Sequence, residues 1–289
     1  MSDIECVWPV GAILGEGPCW SATEKALWFV DIKAPAIHRF DPATGARRTW
    51  PAPARVGFVL PTTAGWMIAG LKTGLHKFNP ETGNFALLHV VEPHSPNNRL
   101  NDGFVDSTGH LWFGSMDDTE EEPSGALYQL TDAGCQRRDP GYVVSNGPAE
   151  SPDGRVLYHT DTLAGIIYAF DRSHDGLSNK RVFARFGAGE GFPDGPIVDA
   201  EGCVWTGVFG GWGLRRYSPK GELLTSLRLP CSAVTKAAFA GDDLRTLYIT
   251  TAHVALDAEQ RKQQPLAGGL FRVRVDVPGL PQGIVSHGI

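Results

Sequence analysis

One short phrase recurs through this chain at a nearly fixed phase, and it restricts the fold more than anything else in the sequence. In its clearest copy, Phe192-Pro193-Asp194-Gly195-Pro196 leads into Ile197-Val198-Asp199-Ala200-Glu201-Gly202-Cys203-Val204-Trp205. A polar residue precedes a glycine. An apolar run, a turn and a Trp-bearing strand follow. The phrase returns as Glu16-Gly17-Pro18 before Leu27-Trp28, as Asn101-Asp102-Gly103 before Leu111-Trp112, and as Asn146-Gly147-Pro148 before Leu157-Tyr158. From Glu16, Asn101, Asn146 and Asp194 the aromatic lies 12, 11, 12 and 11 positions on. In a fold built of repeats, equal phase means equal radial position. These side chains are therefore expected to meet on one axis. Together they offer an oxygen-rich cage, which suits a hard divalent cation.

Six units can be traced. The turns Asp41-Pro42-Ala43-Thr44-Gly45 and Asn79-Pro80-Glu81-Thr82-Gly83, which close the first two, are near copies. Counted between closing glycines, the spacings are 38, 51, 42 and 45 residues, the length of a four-stranded propeller blade. The 35 glycines and 21 prolines are spread along the chain, punctuating short β-type runs. In the fifth unit strands are predicted at Pro196–Val198, Cys203–Gly207, Leu214–Tyr217 and Leu223–Leu229. A single blade has too little core to stand alone, so the ring must close. The expected fold is an all-β, six-bladed β-propeller occupying residues 1–289 as one domain, with a metal site in its central channel. Cys6-Val7-Trp8-Pro9-Val10 is expected to supply the outer strand of the last blade.

Composition excludes several function classes. Net charge is −6, and the paired basic residues Arg47-Arg48, Arg137-Arg138 and Arg215-Arg216 are scattered, so no nucleic-acid partner is expected. No apolar run approaches the roughly 18 residues of a membrane helix. Met1–Glu5 holds acidic residues and no apolar core of signal-peptide length. A cytoplasmic, monomeric protein is the expectation. Five cysteines without Cys-x-x-Cys spacing read as buried structural thiols. There is no Gly-x-Ser-x-Gly elbow, no His-Glu-x-x-His and no phosphate-binding loop.

Taken singly, Asp-Gly, Asn-Gly and Glu-Gly are turn formers, since these pairs favour positive φ. Taken together they weigh against mere turns, because the position before glycine is acidic or amide in four units and apolar, Val56, in another. Arg99-Leu100-Asn101-Asp102-Gly103 is a denser version. Arg99 and Asn101 are two apart and face the same way on an extended segment. A guanidinium and an amide on one face can bind substrate hydroxyls. Equally, Arg99 can pair with Asp102 or with the acidic loop Asp117–Glu122. Register against Glu16-Gly17 leaves both Asn101 and Asp102 as axial alternatives. The longest irregular stretches are Val91–Arg99, Asp117–Ser124, Ala184–Phe192 and Ala255–Gly268. Loops of this length on a rigid ring usually carry function.

At these residues the sequence resembles the senescence marker protein, regucalcin and gluconolactonase family. Gly15-Glu16-Gly17-Pro18, Leu27–Ile32, Arg99–Gly103, Trp112-Phe113-Gly114-Ser115-Met116, Ser145–Pro148 and Phe192–Gly195 carry the likeness in order along nearly the whole chain. It is most similar to bacterial sugar-lactone hydrolases of the gluconolactonase and xylonolactonase kind. The resemblance implies one divalent cation in the channel, with Glu16, Asn146 and Asp194 as ligands and Arg99 and Asn101 on the sugar. Relatives often carry a substrate-reaching Glu after Gly-Ser-Met, where this chain has Asp117-Asp118-Thr119-Glu120-Glu121-Glu122.

The function expected is hydrolysis of an aldonolactone, xylono- or gluconolactone for example, to the aldonic acid. Water attacks a carbonyl polarised by the cation, and Asp194 is the general base. Oxygen ligands favour calcium, magnesium or manganese, and would tolerate iron(II) or zinc. The alternative is a cation-binding regulatory protein of the regucalcin kind, without catalysis.

Overall fold

Short runs of Leu, Val and aromatic residues between glycine turns give strands too brief to form a large sheet. In the computed structural model they form six sheets of four strands each. The structure describes residues 3–173 and 176–289. Met1 and Ser2, and the His174-Asp175 step within the fourth unit, lie outside them. The innermost strands are Gly15–Ser21, Val56–Pro61, Asn98–Val105, Ser145–Glu150, Phe192–Val198 and Val234–Ala240. Each touches the next, and the sixth touches the first, so the ring is closed. This is the expected six-bladed β-propeller.

Both faces of every blade are covered by a neighbour, which explains the near-continuous apolar runs. The core is divided into six apolar clusters, one in each gap between adjacent blades. Between the first two blades, Trp28 stacks on Trp50 at 5.2 Å. In the third and fifth blades the repeated Trp is also held by a hydrogen bond. Trp112 Nε1 donates to Asp106 Oδ2 at 2.7 Å, and Trp205 Nε1 donates to Asp199 Oδ2 at 2.9 Å. The two copied turns share one geometry. Asp41 Oδ1 accepts from the N–H of Ala43, Asn79 Oδ1 accepts from that of Glu81, and Gly45 and Gly83 take positive φ of 73° and 76°.

The ring is fastened where the chain begins. Glu5–Trp8 pairs antiparallel with Leu270–Arg274, with Cys6 opposite Phe271, and forms the outer strand of the sixth blade. The one helix among the described residues, Ala258–Gln263, is under two turns long. No helix among them is long and apolar enough to cross a membrane. None of the five cysteines is in a disulfide; Cys19, Cys203 and Cys231 are buried and Cys6 and Cys135 half-buried.

One feature had no counterpart in the sequence reading. After the last strand, the tail crosses beneath the ring. Ala200 N–H donates to Pro278 O, Val285 N–H to Pro61 O, and Ser286 N–H to Gly109 O. The tail thus ties the fifth blade to the second and third and closes the far end of the channel.

Candidate active site

A single backbone irregularity positions the site. In every innermost strand the pairing with its neighbour slips at the same place: between Glu16 and Cys19, Val56 and Phe58, Leu100 and Gly103, Asn146 and Ala149, Pro193 and Pro196, and Val234 and Ala237. Each slip is a β-bulge, which re-aims side chains out of the regular alternation. The polar-glycine phrase is the sequence of this bulge. Glycine is required there by crowding at the axis. A Cβ on Gly195 would lie 2.7 Å from Asp102 Oδ2, and one on Gly57 would lie 1.9 Å from the carbonyl oxygen of Asn101.

The bulges bring Glu16, Asn101, Asn146 and Asp194, together with Arg99, onto one cavity of about 500 Å³. All five are buried. Glu16 accepts a hydrogen bond from Gly17 N–H and Asp194 one from Gly195 N–H, each at 2.9 Å. Among the described residues neither carboxylate has a side-chain donor or ion-pair partner. Burial, with Asp102 adding to it, pushes the Glu16 carboxyl up to about 7. Burial, then Glu16 and Asp102, hold the Asp194 carboxyl well above the usual range.

Two threonines and two amides fix the geometry around these acids. Thr206 Oγ1 donates to the Asp194 carbonyl at 3.0 Å, securing the bulge. Asn146 Nδ2 donates to Thr162 Oγ1 at 2.9 Å. Asn101 Nδ2 donates to Asn146 Oδ1 at 2.7 Å, and Arg99 donates to Asn101 Oδ1 at 2.5 Å. Arg99, Asn101 and Asn146 are therefore one relay along the cavity wall.

Arg99 also meets the acidic loop, with Nε 3.2 Å from Asp118 Oδ1. Asp118 is shared with Arg55 and with Lys72, the latter at 2.8 Å. The ion-pair reading of Arg99 thus holds, with Asp118 of the acidic loop rather than Asp102 as its partner, while Arg99 also lines the cavity. Of the loop, Asp118, Thr119 and Glu120 line the cavity. Glu120, exposed and at φ 63°, has no ion-pair partner among the described residues. Asp117 instead caps its own loop, accepting from the N–H groups of Glu121 and Glu122.

Asp102 does not line the cavity. It lies beneath, where Lys236 Nζ meets Oδ1 and the N–H of Gly147 meets Oδ2. Of the two axial alternatives, Asn101 faces the cavity and Asp102 is committed to the floor. Lys236 was missed, although a signal existed. It occupies the bulge of the sixth blade and precedes Tyr248 by 12 positions, the interval of the other copies. Below it, a small cavity of about 80 Å³ is capped by Leu280 and Pro281 of the tail.

The comparisons agree with this architecture. The SMP-30/Gluconolactonase/LRE-like region model matches residues 14–253. The chain belongs to this family. It is 35% identical to 6-deoxy-6-sulfogluconolactonase of Pseudomonas putida over 98% of both chains. It is 34% identical to regucalcin of Danio rerio over 96% of both. Its fold matches the structure of a calcium-binding protein, regucalcin, from Agrobacterium tumefaciens with a TM-score of 0.93, at 24% identity over 96% of both chains.

The donor set at the axis fits a hard cation. Among the described residues no three His, Cys, Asp or Glu side chains gather into a metal-binding group. The set here is instead two carboxylates and an amide oxygen. The two acids are buried together without a counter-charge in contact, an arrangement that a divalent ion relieves.

Proposed function

We propose that this chain hydrolyses a sugar lactone to the open-chain acid, with one divalent cation held by Glu16, Asn146 and Asp194. The observation that carries the reading is the convergence of two unpaired buried carboxylates and the Arg99–Asn101–Asn146 relay on one open cavity. Membership of a family with lactonases among its close relatives supports it. A site that only stored a cation would need no cavity of this volume.

A cation bound there would polarise the lactone carbonyl and stabilise the negative charge developing on its oxygen. The remaining work falls to the protein. Asp194 accepts a proton from water at its carboxylate oxygen as the new C–O bond forms. A carboxylate that touches both the cation and the attacking water is placed to take that proton. When the ring C–O bond breaks, the same proton passes to the departing ring oxygen. Arg99 and Asn101 bind ring hydroxyls. Glu120, the cavity-lining acid without a partner, accepts a hydrogen bond from another hydroxyl. Thr162 and Thr206 keep Asn146 and the Asp194 bulge in place.

The test is pH-stat titration with a panel of sugar lactones, on metal-free protein and after adding calcium, magnesium, manganese, iron(II) or zinc. Acid release that needs a divalent cation supports the reading. Full activity in rigorously metal-free protein removes the cation from it, and inactivity with every lactone and metal removes the lactonase itself.

A further inference from the structure

The cavity wall is divided into two arcs. On the first and third blades it presents Lys33, Arg99, Asn101, Thr119 and Glu120, able to bind hydroxyl groups, beside Asp118 and a single apolar residue, Leu14. On the fourth, fifth and sixth it presents Val144, Leu163, Phe192, Phe209 and Val254 around the axial residues, with Asn146 and Thr162 there already hydrogen-bonded to each other. Three of these sit at the mouth with unusual exposure: Phe192 at 45%, Leu163 at 43% and Val254 at 38%. Large apolar side chains left in water and clustered on one rim mark a surface that something apolar covers. They belong to three different blades, so their meeting is a property of the ring and of no single loop.

The hydroxyls of a polyhydroxylated lactone gain nothing from this arc. A hydroxyl pressed against Leu163 or Val254 gives up water and finds no donor or acceptor in return. Phe192 and Phe209 could receive the C–H face of a sugar, but the aliphatic pair offers only apolar contact. Lactone carbonyl and hydroxyls satisfy the polar arc and the axial acids, which leaves the opposite arc for a part of the substrate without hydroxyls.

Resting on the lactonase reading above, we propose that the preferred substrate is an amphipathic lactone, bearing hydroxyls on one side and a deoxy or alkyl substituent that seats against Leu163, Phe192 and Val254. The three side chains are specificity-determining and take no part in the chemistry.

The experiment uses matched pairs that differ at one carbon, with hydroxymethyl replaced by methyl. Galactono-1,4-lactone against its 6-deoxy counterpart and mannono-1,4-lactone against its 6-deoxy counterpart serve, with 6-deoxy-6-sulfogluconolactone as the charged comparison. Full-length protein is assayed with the cation that supports turnover. The methyl member should show a kcat/KM higher by about 4-fold or more, the worth of one buried methyl-sized group. Leu163→Ser with Phe192→Ser, both on the exposed rim, should lower kcat/KM for the methyl lactone more than for its hydroxymethyl partner. If the hydroxymethyl or sulfonated lactone is preferred and the rim variant changes all substrates alike, the apolar-substituent proposal is overturned while the lactonase reading stands. If no lactone is hydrolysed under any condition, both fall.

Discussion

Lys236 Nζ stands 2.5 Å from Asp102 Oδ1 at the axis of the ring, joining the sixth blade to the third across the channel. The pair is buried on both sides. It forms the floor under Glu16 and Asp194 and withholds a third carboxylate from the axial cluster. Breaking a buried pair from one side leaves an uncompensated charge, at a cost of roughly 3–5 kcal/mol. Lys236→Met should therefore lose about that much stability in urea unfolding. Lys236→Met combined with Asp102→Asn should recover a large part of it. A double variant no more stable than the single would show that the two residues are not coupled.

The pH dependence of stability should reveal the unpaired acids. A carboxyl raised in the folded state keeps a proton that the unfolded chain releases. For Glu16 this contribution is full below about 4.5 and lost as pH rises through about 7. Asp194 moves in the same direction. Metal-free protein should lose stability across that window, and a cation that these acids hold should restore it. The rise in Tm on adding calcium should be larger at pH 8 than at pH 5. An equal rise at both would place calcium elsewhere.

Arg99→Ala should separate substrate from metal. Arg99 touches Asn101 and Asp118 but neither axial acid. KM should rise about 10- to 100-fold, the range of one lost charge-assisted contact, with metal affinity nearly unchanged by calorimetry. Lost metal with retained substrate affinity would reverse the roles.

Asp194 and Asn146 should differ although both are proposed ligands. Asn146→Ala should weaken metal binding, and excess metal should recover part of the rate. Asp194→Asn keeps a coordinating oxygen and removes the base. Its rate should stay down about 10²–10⁴-fold at saturating metal. Near-normal turnover at full occupancy would make Asp194 a ligand only. The proton would then fall to Glu16, since Asp102 is engaged with Lys236.

Phase located most of the polar residues that line the cavity, although at the third blade it left Asn101 and Asp102 open. Glu16, Asn101, Asn146 and Asp194 were legible because the bulge repeats at one place in each blade, and a repeat preserves phase. The same regularity exposed the six blades, the copied turns at Asp41 and Asn79, and the outer strand from Glu5. The sequence placed the fifth innermost strand at Pro196–Val198, whereas it begins at Phe192. Pro193, Asp194 and Gly195 look like a turn, yet they are strand residues carried through a bulge. Lys236 escaped because a cation was not sought among acids. The partition of the acidic loop, with Asp117 capping, Asp118 paired and Glu120 free, depends on three-dimensional neighbours such as Arg55 and Lys72. The tail beneath the ring has no period at all, and only its contacts reveal it.

The pairing of Glu5–Trp8 with Leu270–Arg274 has a consequence for synthesis. Glu5–Trp8 is synthesised long before Leu270–Arg274, and until then it has no strand partner. Until then the first and sixth blades have no common boundary, and their shared cluster around Trp20, Phe29 and Tyr248 is open to water. Glu16 stands on one side of that seam, and the Lys236 crossbar on the other. The cage at the axis therefore takes shape only after the sixth blade has been made, and a shorter nascent chain is without it.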